Sequence, residues 1–256
     1  MVGVGVIDSG GPADDPAQDP ARARGFLPDG SAVEARPDRL GHGTAVAAVI
    51  RRACPDAAII HAQIFDDRPV TSALRVAAAL RWFASMPAGE RPEVICMSLG
   101  LAQDRPPLRA ACALTLEAGL LLVAAHPAQG APCYPAAYAG VIAATGDARC
   151  GWDDLSEPRT GVFGAWNASP EAGGVGGASM GAARVAGHLA ARLAAGMTAE
   201  EALADMRKGL RWRGREYRGG AGGLPQSCRI ESPNAVARQE PAGRRFAASP
   251  PPILQP

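Results

Sequence analysis

Short apolar runs of strand length alternate along this chain with apolar residues recurring at helical spacing, and few folds accept that alternation. The strand-like runs are Val2–Ile7, Ala58–Ile64, Val94–Met97, Leu120–Ala125 and Val141–Ala144. The helix-like stretches are Thr44–Ala53, Ser72–Ala84, Leu108–Ala118, Met180–Ala194 and Ala199–Lys208. Strands that are apolar throughout need cover on both faces. The pattern therefore predicts an α/β domain, a mostly parallel sheet with helices on both faces. Such sheets bind ligands beyond the carboxyl ends of their strands, and Asp8 stands at the end of the first run. Residues 9–41, rich in Pro, Asp, Gly and Arg, read as an irregular surface excursion. From Gly209 the composition changes: Arg211, Arg213, Arg215 and Arg218 surround Glu216, a glycine run follows, and the chain ends rich in proline. This sets one domain over 1–208 and an extension over 209–256, either wrapped around the domain or disordered, with its arginines read as a solvated surface.

The 256 residues are 47% hydrophobic, enough for one sizeable core. A net charge of +1 makes no global case for nucleic acid or a membrane surface as partner. No apolar run reaches bilayer length. None of the six cysteines forms a C-x-x-C pair, so neither a zinc nor a redox site is indicated, and no cofactor is expected. Cys96 and Cys112 read as small core residues, and Cys133 and Cys150 as reduced thiols that are still able to meet. Asp14, Asp15 and Asp19 read as a solvated loop rather than a calcium site. Met1 leads straight into the first strand, with no basic lead and no cleavage pattern, which sets the expectation of a cytoplasmic protein.

Three short motifs carry chemistry: Val6-Ile7-Asp8-Ser9-Gly10, Gly41-His42-Gly43-Thr44 and Gly177-Ala178-Ser179-Met180-Gly181. A serine hydroxyl is a weak nucleophile at neutral pH. It needs a base to take its proton, and the base needs a carboxylate to hold its tautomer. Ser179 opens a helical pattern in which Ala182, Val185, Ala186, Leu189 and Leu193 recur, so unpaired N–H groups and a positive dipole end stand beside it. Each motif has a plain reading of its own: a helix cap for Ser179, a histidine at a helix start, an ordinary turn for Asp-Ser-Gly. The search for a base is short, because the chain has four histidines, His42, His61, His126 and His188. His61 lies in an apolar run, and His188 on the helix after Ser179. Lys208 is the only lysine, which weakens a Ser–Lys mechanism.

Taken together, the motifs resemble those of the subtilisin-like serine proteases, over roughly residues 2–208. Residues 177–187, Gly-Ala-Ser-Met-Gly-Ala-Ala-Arg-Val-Ala-Gly, are similar to that family's Gly-Thr-Ser-Met-Ala-x-Pro-His-Val-Ala-Gly segment. Ile95–Gly100 resembles its Asn-Met-Ser-Leu-Gly strand end, and Cys133–Ala143 its Tyr-Pro-x-x-Tyr-Pro-x-Val-Ile-Ala stretch. The order Asp…His…Ser agrees, with 34 residues from Asp8 to His42 and 137 from His42 to Ser179. The resemblance implies a three-layer subtilisin-like fold. It makes Ser179 the nucleophile, His42 the general base and Asp8 its orienting partner. Ser98, Leu99 and Gly100 would pair with the substrate backbone as an added strand.

The chain also departs from the family. An asparagine that donates to the oxyanion is absent from Ala124-Ala125-His126-Pro127-Ala128-Gln129-Gly130; the chain's only asparagines are Asn167 and Asn234. His126 or Gln129 would substitute, or the enzyme is slow, since losing such a donor costs about a hundred- to a thousandfold in turnover. The family's histidine five residues after the serine is Arg184 here. Two other readings stay open. One is a non-catalytic peptide-binding relative that keeps the cleft; the other is an α/β-hydrolase esterase, because Gly177–Gly181 also fits G-x-S-x-G. Short length and the Gly146–Cys150 stretch resemble leader-removing maturation proteases within the family. The expected partner is thus a peptide or protein substrate, with a leader-bearing precursor as the specific case.

Overall fold

In the computed structural model, residues 1–12, 22–168 and 176–215 are described. Among the described residues, five helices pack on one ten-stranded sheet of order β10-β8-β9-β7-β6-β5-β1-β4-β2-β3. The predicted strands appear as β1 (Gly3–Asp8), β4 (Ala58–Gln63), β5 (Val94–Met97), β6 (Leu121–Ala125) and β7 (Ile142–Gly146). The helices are α1 (His42–Ala53), α2 (Ala73–Ser85), α3 (Pro106–Glu117), α4 (Ala178–Ala194) and α5 (Ala199–Lys208). All neighbours from β2 through β4, β1, β5, β6 and β7 to β9 run parallel.

Five strands escaped the pattern. β2 (Ala23–Phe26) and β3 (Ala32–Val33) lie inside the stretch read as irregular, and β2 joins the sheet beside β4 with Ala23 and Phe26 buried. β8 (Leu155–Arg159) and β9 (Val162–Ala165) form an antiparallel hairpin, and β10 (Leu210–Arg213) pairs with β8. The sheet therefore extends into the first residues of the 209–256 extension. The physical reason is length and composition: two- to five-residue strands at a sheet's edges need little apolar sequence. Two of the described arginines of the extension form surface ion pairs, Arg211 with Asp154 at 2.9 Å and Arg213 with Glu157 at 2.6 Å. Asp14, Asp15, Asp19, Cys228, Arg218 and residues 216–256 lie outside the described residues.

Each face of the sheet carries its own core. β-strand residues such as Val6, Cys96 and Ala144 pack with α1, α4 and α5 through Val46, Val185, Leu189 and Met206. Their sequence neighbours Ile7, Ile95 and Ala143 pack with α2 and α3 through Leu80, Phe83, Leu108 and Cys112. This is the three-layer arrangement, and it leaves no face of the central strands wet. α4 crosses the sheet against the end of β7. A Cβ on Gly181 would overlap the Thr145 carbonyl, so only glycine lets the helix start this close. Arg184 anchors the same helix. Its Nε donates to the Trp152 carbonyl at 2.6 Å, its Nη2 meets Asp153 at 3.0 Å, and its guanidinium stacks 3.8 Å from the Trp152 ring. Burial lowers its pKa to about 10, which leaves it charged at neutral pH. The Gly146–Cys150 stretch is also a clamp. Asp147 accepts from Arg149 and from the Ser156 hydroxyl at 2.6 Å, and Arg149 reaches on to the Gly214 carbonyl at 2.8 Å.

Cys54, Cys96, Cys112, Cys133 and Cys150 are free thiols. Among the described residues no cluster of three Cys, His, Asp or Glu is placed to hold a metal ion, and no helix is long and apolar enough to cross a membrane.

Candidate active site

Asp8, His42 and Ser179 lie far apart in the chain; the fold puts His42 in contact with Asp8 at the carboxyl end of β1 and places His42 and Ser179 on one cavity. β1 ends on Asp8, whose side chain is fully buried. Its main-chain oxygen accepts from Ile64 at 2.8 Å, which fixes the strand end against the continuation of β4. α1 begins at His42, with Gly41 before it at φ 71°, a left-handed turn that suits glycine. His42 Nδ1 stands 2.8 Å and 2.9 Å from the two Asp8 carboxylate oxygens. A carboxylate only accepts, so Nδ1 carries the proton and Nε2 keeps a free lone pair, the form a general base requires. α4 begins at Ala178, and Ser179 sits in its first turn with no side-chain cap on the helix. The N–H groups of that first turn are therefore available to an oxyanion. The Ser179 hydroxyl donates to the Ser98 carbonyl at 3.2 Å. His42 and Ser179 both line one cavity of about 580 Å³. General-base catalysis by His42 would need the hydroxyl to turn from Ser98 toward the imidazole.

The rest of the lining is mostly apolar: Leu40, Phe65, Pro69, Val70, Leu99 and Leu101, with Thr71, Ser98 and Gly100 among them; no carboxylate, lysine or arginine of the described residues lines it. Main-chain pairing along this wall has a gap. Leu101 exchanges both hydrogen bonds with Tyr134, at 2.7 and 2.9 Å. Between β5 and Leu101, Leu99 and Gly100 keep their N–H and C=O groups free of main-chain partners among the described residues. That is an edge to which an extended peptide can add.

Two sequence candidates stand outside the cavity lining. His126 is buried at the end of β6, and its Nδ1 donates to the Pro127 carbonyl at 2.8 Å, leaving Nε2 as an acceptor when the ring is neutral. Gln129 is exposed on the following loop. His61 is fully buried on β4, away from the cavity. His188 packs along α4, where burial, reinforced by Arg184 and Arg192, lowers its pKa to about 3. None of these three histidines lines the cavity that holds His42 and Ser179.

Sequence reasoning missed Asp38. One of its oxygens accepts from the Leu40 and Gly41 amides, each at 2.9 Å; the other accepts from the Thr44 amide at 2.9 Å and the Thr44 hydroxyl at 2.8 Å. Asp38 thus caps α1 from outside it and clamps both sides of His42. The signal was in the sequence: an aspartate just ahead of a glycine that opens a helix. Gln63 seats this loop, accepting from the Arg36 amide and donating to the Ser9 and Arg36 carbonyls. Ser9 ties the two carboxylates to the helix. It shares its hydroxyl with Asp8 at 3.2 Å and accepts from the Gly43 amide at 2.8 Å.

The electrostatics follow from this packing. The Asp8 hydrogen bond raises the His42 pKa above its ordinary 6.5; burial opposes it, and the charges of Asp8 and Asp38 add to the rise. Burial pushes Asp38 up, but hydrogen bonds from Thr44, Ser9 and Gly41 outweigh it and hold the carboxyl below its usual range. If the neutral imidazole serves as a base, activity should be lost as pH falls through a value above 6.5. Asp38→Asn removes one charge that favours imidazolium. The acidic limb of kcat/KM is then expected to move to lower pH, read from a pH–rate profile of any cleaved peptide. A limb that stays in place would show that Asp38 acts on the loop alone.

No protein-family model and no curated protein matches this chain. Solved structures do. A structure titled S41 psychrophilic protease superposes with a TM-score of 0.63 at 19% identity, covering 81% of this chain and 82% of that one. A cold-adapted subtilisin-like serine proteinase superposes with a TM-score of 0.65 at 20% identity, covering 82% of each chain. With its mostly parallel sheet, its helices on both faces and these neighbours, the chain has the subtilisin-like α/β fold.

Proposed function

We propose that this protein is a serine endopeptidase that cuts an extended polypeptide with Ser179 as nucleophile, His42 as base and later acid, and Asp8 as the orienting carboxylate. The observation that carries this reading is the His42–Asp8 contact at 2.8 Å on the cavity that also exposes Ser179 at the start of a long helix. His42 Nε2 would take the hydroxyl proton as Oγ attacks the carbonyl carbon, then deliver it to the leaving amine; water repeats the sequence on the acyl-enzyme. The oxyanion would rest on the Ser179 N–H, with the Gln129 amide as the second donor, or His126 in its protonated form. The substrate backbone would pair with Leu99 and Gly100.

A finer reading makes it a dedicated, intracellular, leader-removing protease. It rests on the missing oxyanion asparagine, which suits one cut better than bulk digestion. It rests also on the resemblance to the subtilisin-like maturation protease that removes the leader of the crosslinked γ subunit of quinohemoprotein amine dehydrogenase. The esterase reading fits less well, because it expects an apolar strand directly before the serine, whereas β9 ends at Ala165. The test is mass spectrometry of products from a peptide library, with Ser179→Ala as control. Serine-dependent cleavage supports an endopeptidase. No cleavage, together with no labelling of Ser179 by a fluorophosphonate, leaves the peptide-binding relative. For the finer reading, the protein is given the leader-bearing γ-subunit precursor and casein in parallel, and faster casein digestion overturns it.

A further inference from the structure

Three large apolar side chains stay exposed in one region beside the cleft: Leu27 (41%), Val70 (70%) and Leu74 (45%). Contacts join them. Val70 lines the cavity that holds His42 and Ser179. Two residues on, the Ser72 hydroxyl donates to the Pro28 carbonyl at 2.9 Å. This seats the turn closed by Leu27 and Ser31 against the first turn of α2, where Leu74 lies. Gly30 in that turn faces the Leu74 carbonyl, 3.5 Å from where a Cβ would be. The fold does not need apolar residues here. Ser72 already caps α2 by accepting from the Arg75 amide, and Phe26 and Val76, the neighbours of this surface, fill the core. Scattered exposed leucines need no explanation, but an apolar surface continuous with a binding cleft marks an interaction site.

We propose that Leu27, Val70 and Leu74 form an exosite that holds an apolar stretch of the substrate polypeptide flanking the cut bond. This rests on the endopeptidase reading. A chain laid along Leu99 and Gly100 passes through the apolar cavity to Val70, and the same chain continues onto Leu74 and Leu27. An extended segment shows every second side chain to one surface, so alternating apolar residues suit the occupant. The interaction is remote from the reacting carbonyl and stays the same in ground and transition states. It therefore lowers KM and leaves kcat unchanged.

The test takes the fastest-cut quenched-fluorescence hexapeptide from the library. It is extended by eight residues on one side or the other, as Leu-Ser repeats or as Asp-Ser repeats. The Leu-Ser extension on one side only is expected to lower KM by about tenfold, within the range two leucines can supply after ordering costs. The Leu27→Ser/Leu74→Ser variant should lose that gain and cut the short peptide as before. Equal KM for all extensions, or a gain that survives in the variant, overturns the exosite. So does concentration-dependent dimerisation in light scattering that the variant abolishes, since a second copy would then own the surface. Failure to cut the hexapeptide itself counts instead against the endopeptidase reading.

Discussion

Ser179→Ala is expected to lower kcat by about 10⁴-fold or more while leaving the fold and peptide affinity in place. The side chain makes one hydrogen bond, to the Ser98 carbonyl at 3.2 Å, in a partly buried position, so its loss costs little stability. Binding draws on Leu99, Gly100 and the apolar wall, none of which the substitution touches. His42→Ala should cost as much, because a hydroxyl without a base and a base without a hydroxyl are equally idle. The double variant should then be no worse than either single one, the non-additivity expected of groups that act as a unit. The measurement is kcat and KM for one library peptide across the three variants, with thermal melting as the fold control. Additive losses would mean that the two residues do not share a step. An undiminished Ser179→Ala enzyme would place the nucleophile elsewhere.

The central strands were legible because each is apolar on both faces. Val94–Met97 was read to the residue, since a fully buried strand admits no polar position. Helices drifted by one or two residues at their N-termini. α1 begins at His42 rather than Thr44, and α4 at Ala178 rather than Met180, because glycines before each leave no apolar signal at the first turn. The short outer strands hid for the opposite reason. Leu155–Arg159, one strand in from the end of the sheet, carries Ser156, Glu157 and Pro158 and still pairs with β9 and β10, because the buried Ser156 hydroxyl bonds Asp147 and Glu157 and Pro158 are only half-buried. Of the candidate site, Asp8, His42 and Ser179 could be named from motif order alone. Asp38 was missed although an aspartate ahead of a helix-opening glycine is a capping signal, because that signal does not say that the capped turn holds His42. The second oxyanion donor stayed open for a related reason: a loop that departs from the family's pattern has no motif left to read.

Gly43→Ala is expected to lower kcat/KM by about 10³-fold and to melt several degrees early, although it adds only one methyl group. A Cβ there would overlap the Gly10 carbonyl oxygen and lie 3.0 Å from the Gly10 nitrogen and 3.2 Å from the Ser9 nitrogen. These are main-chain atoms that cannot rotate aside. Their own positions are held by Gln63 on the Ser9 carbonyl and by the Asp38 amide on the Gly11 carbonyl. The start of α1 must therefore back away from β1. That breaks the Gly43 amide bond to Ser9 and draws His42 off the Asp8 carboxylate. Overpacking of this kind costs about 1–3 kcal/mol, and about 1 kcal/mol moves the melting point of a domain this size by roughly 2–4 °C. The catalytic cost is larger than the stability cost. A misplacement of about 1 Å lowers rate by roughly 10²-fold, and a base without its orienting carboxylate loses up to about 10⁴-fold. Gly41→Ala is the control two residues away. No atom lies within 4 Å of a Cβ there, but φ is +71°, so alanine brings backbone strain of about 1–2 kcal/mol without a collision. Comparable melting losses with a far deeper activity loss in Gly43→Ala would show that close approach of α1 to β1 sets the His42–Asp8 geometry. Equal activity losses would mean that the helix start tolerates the shift and that something else holds the imidazole.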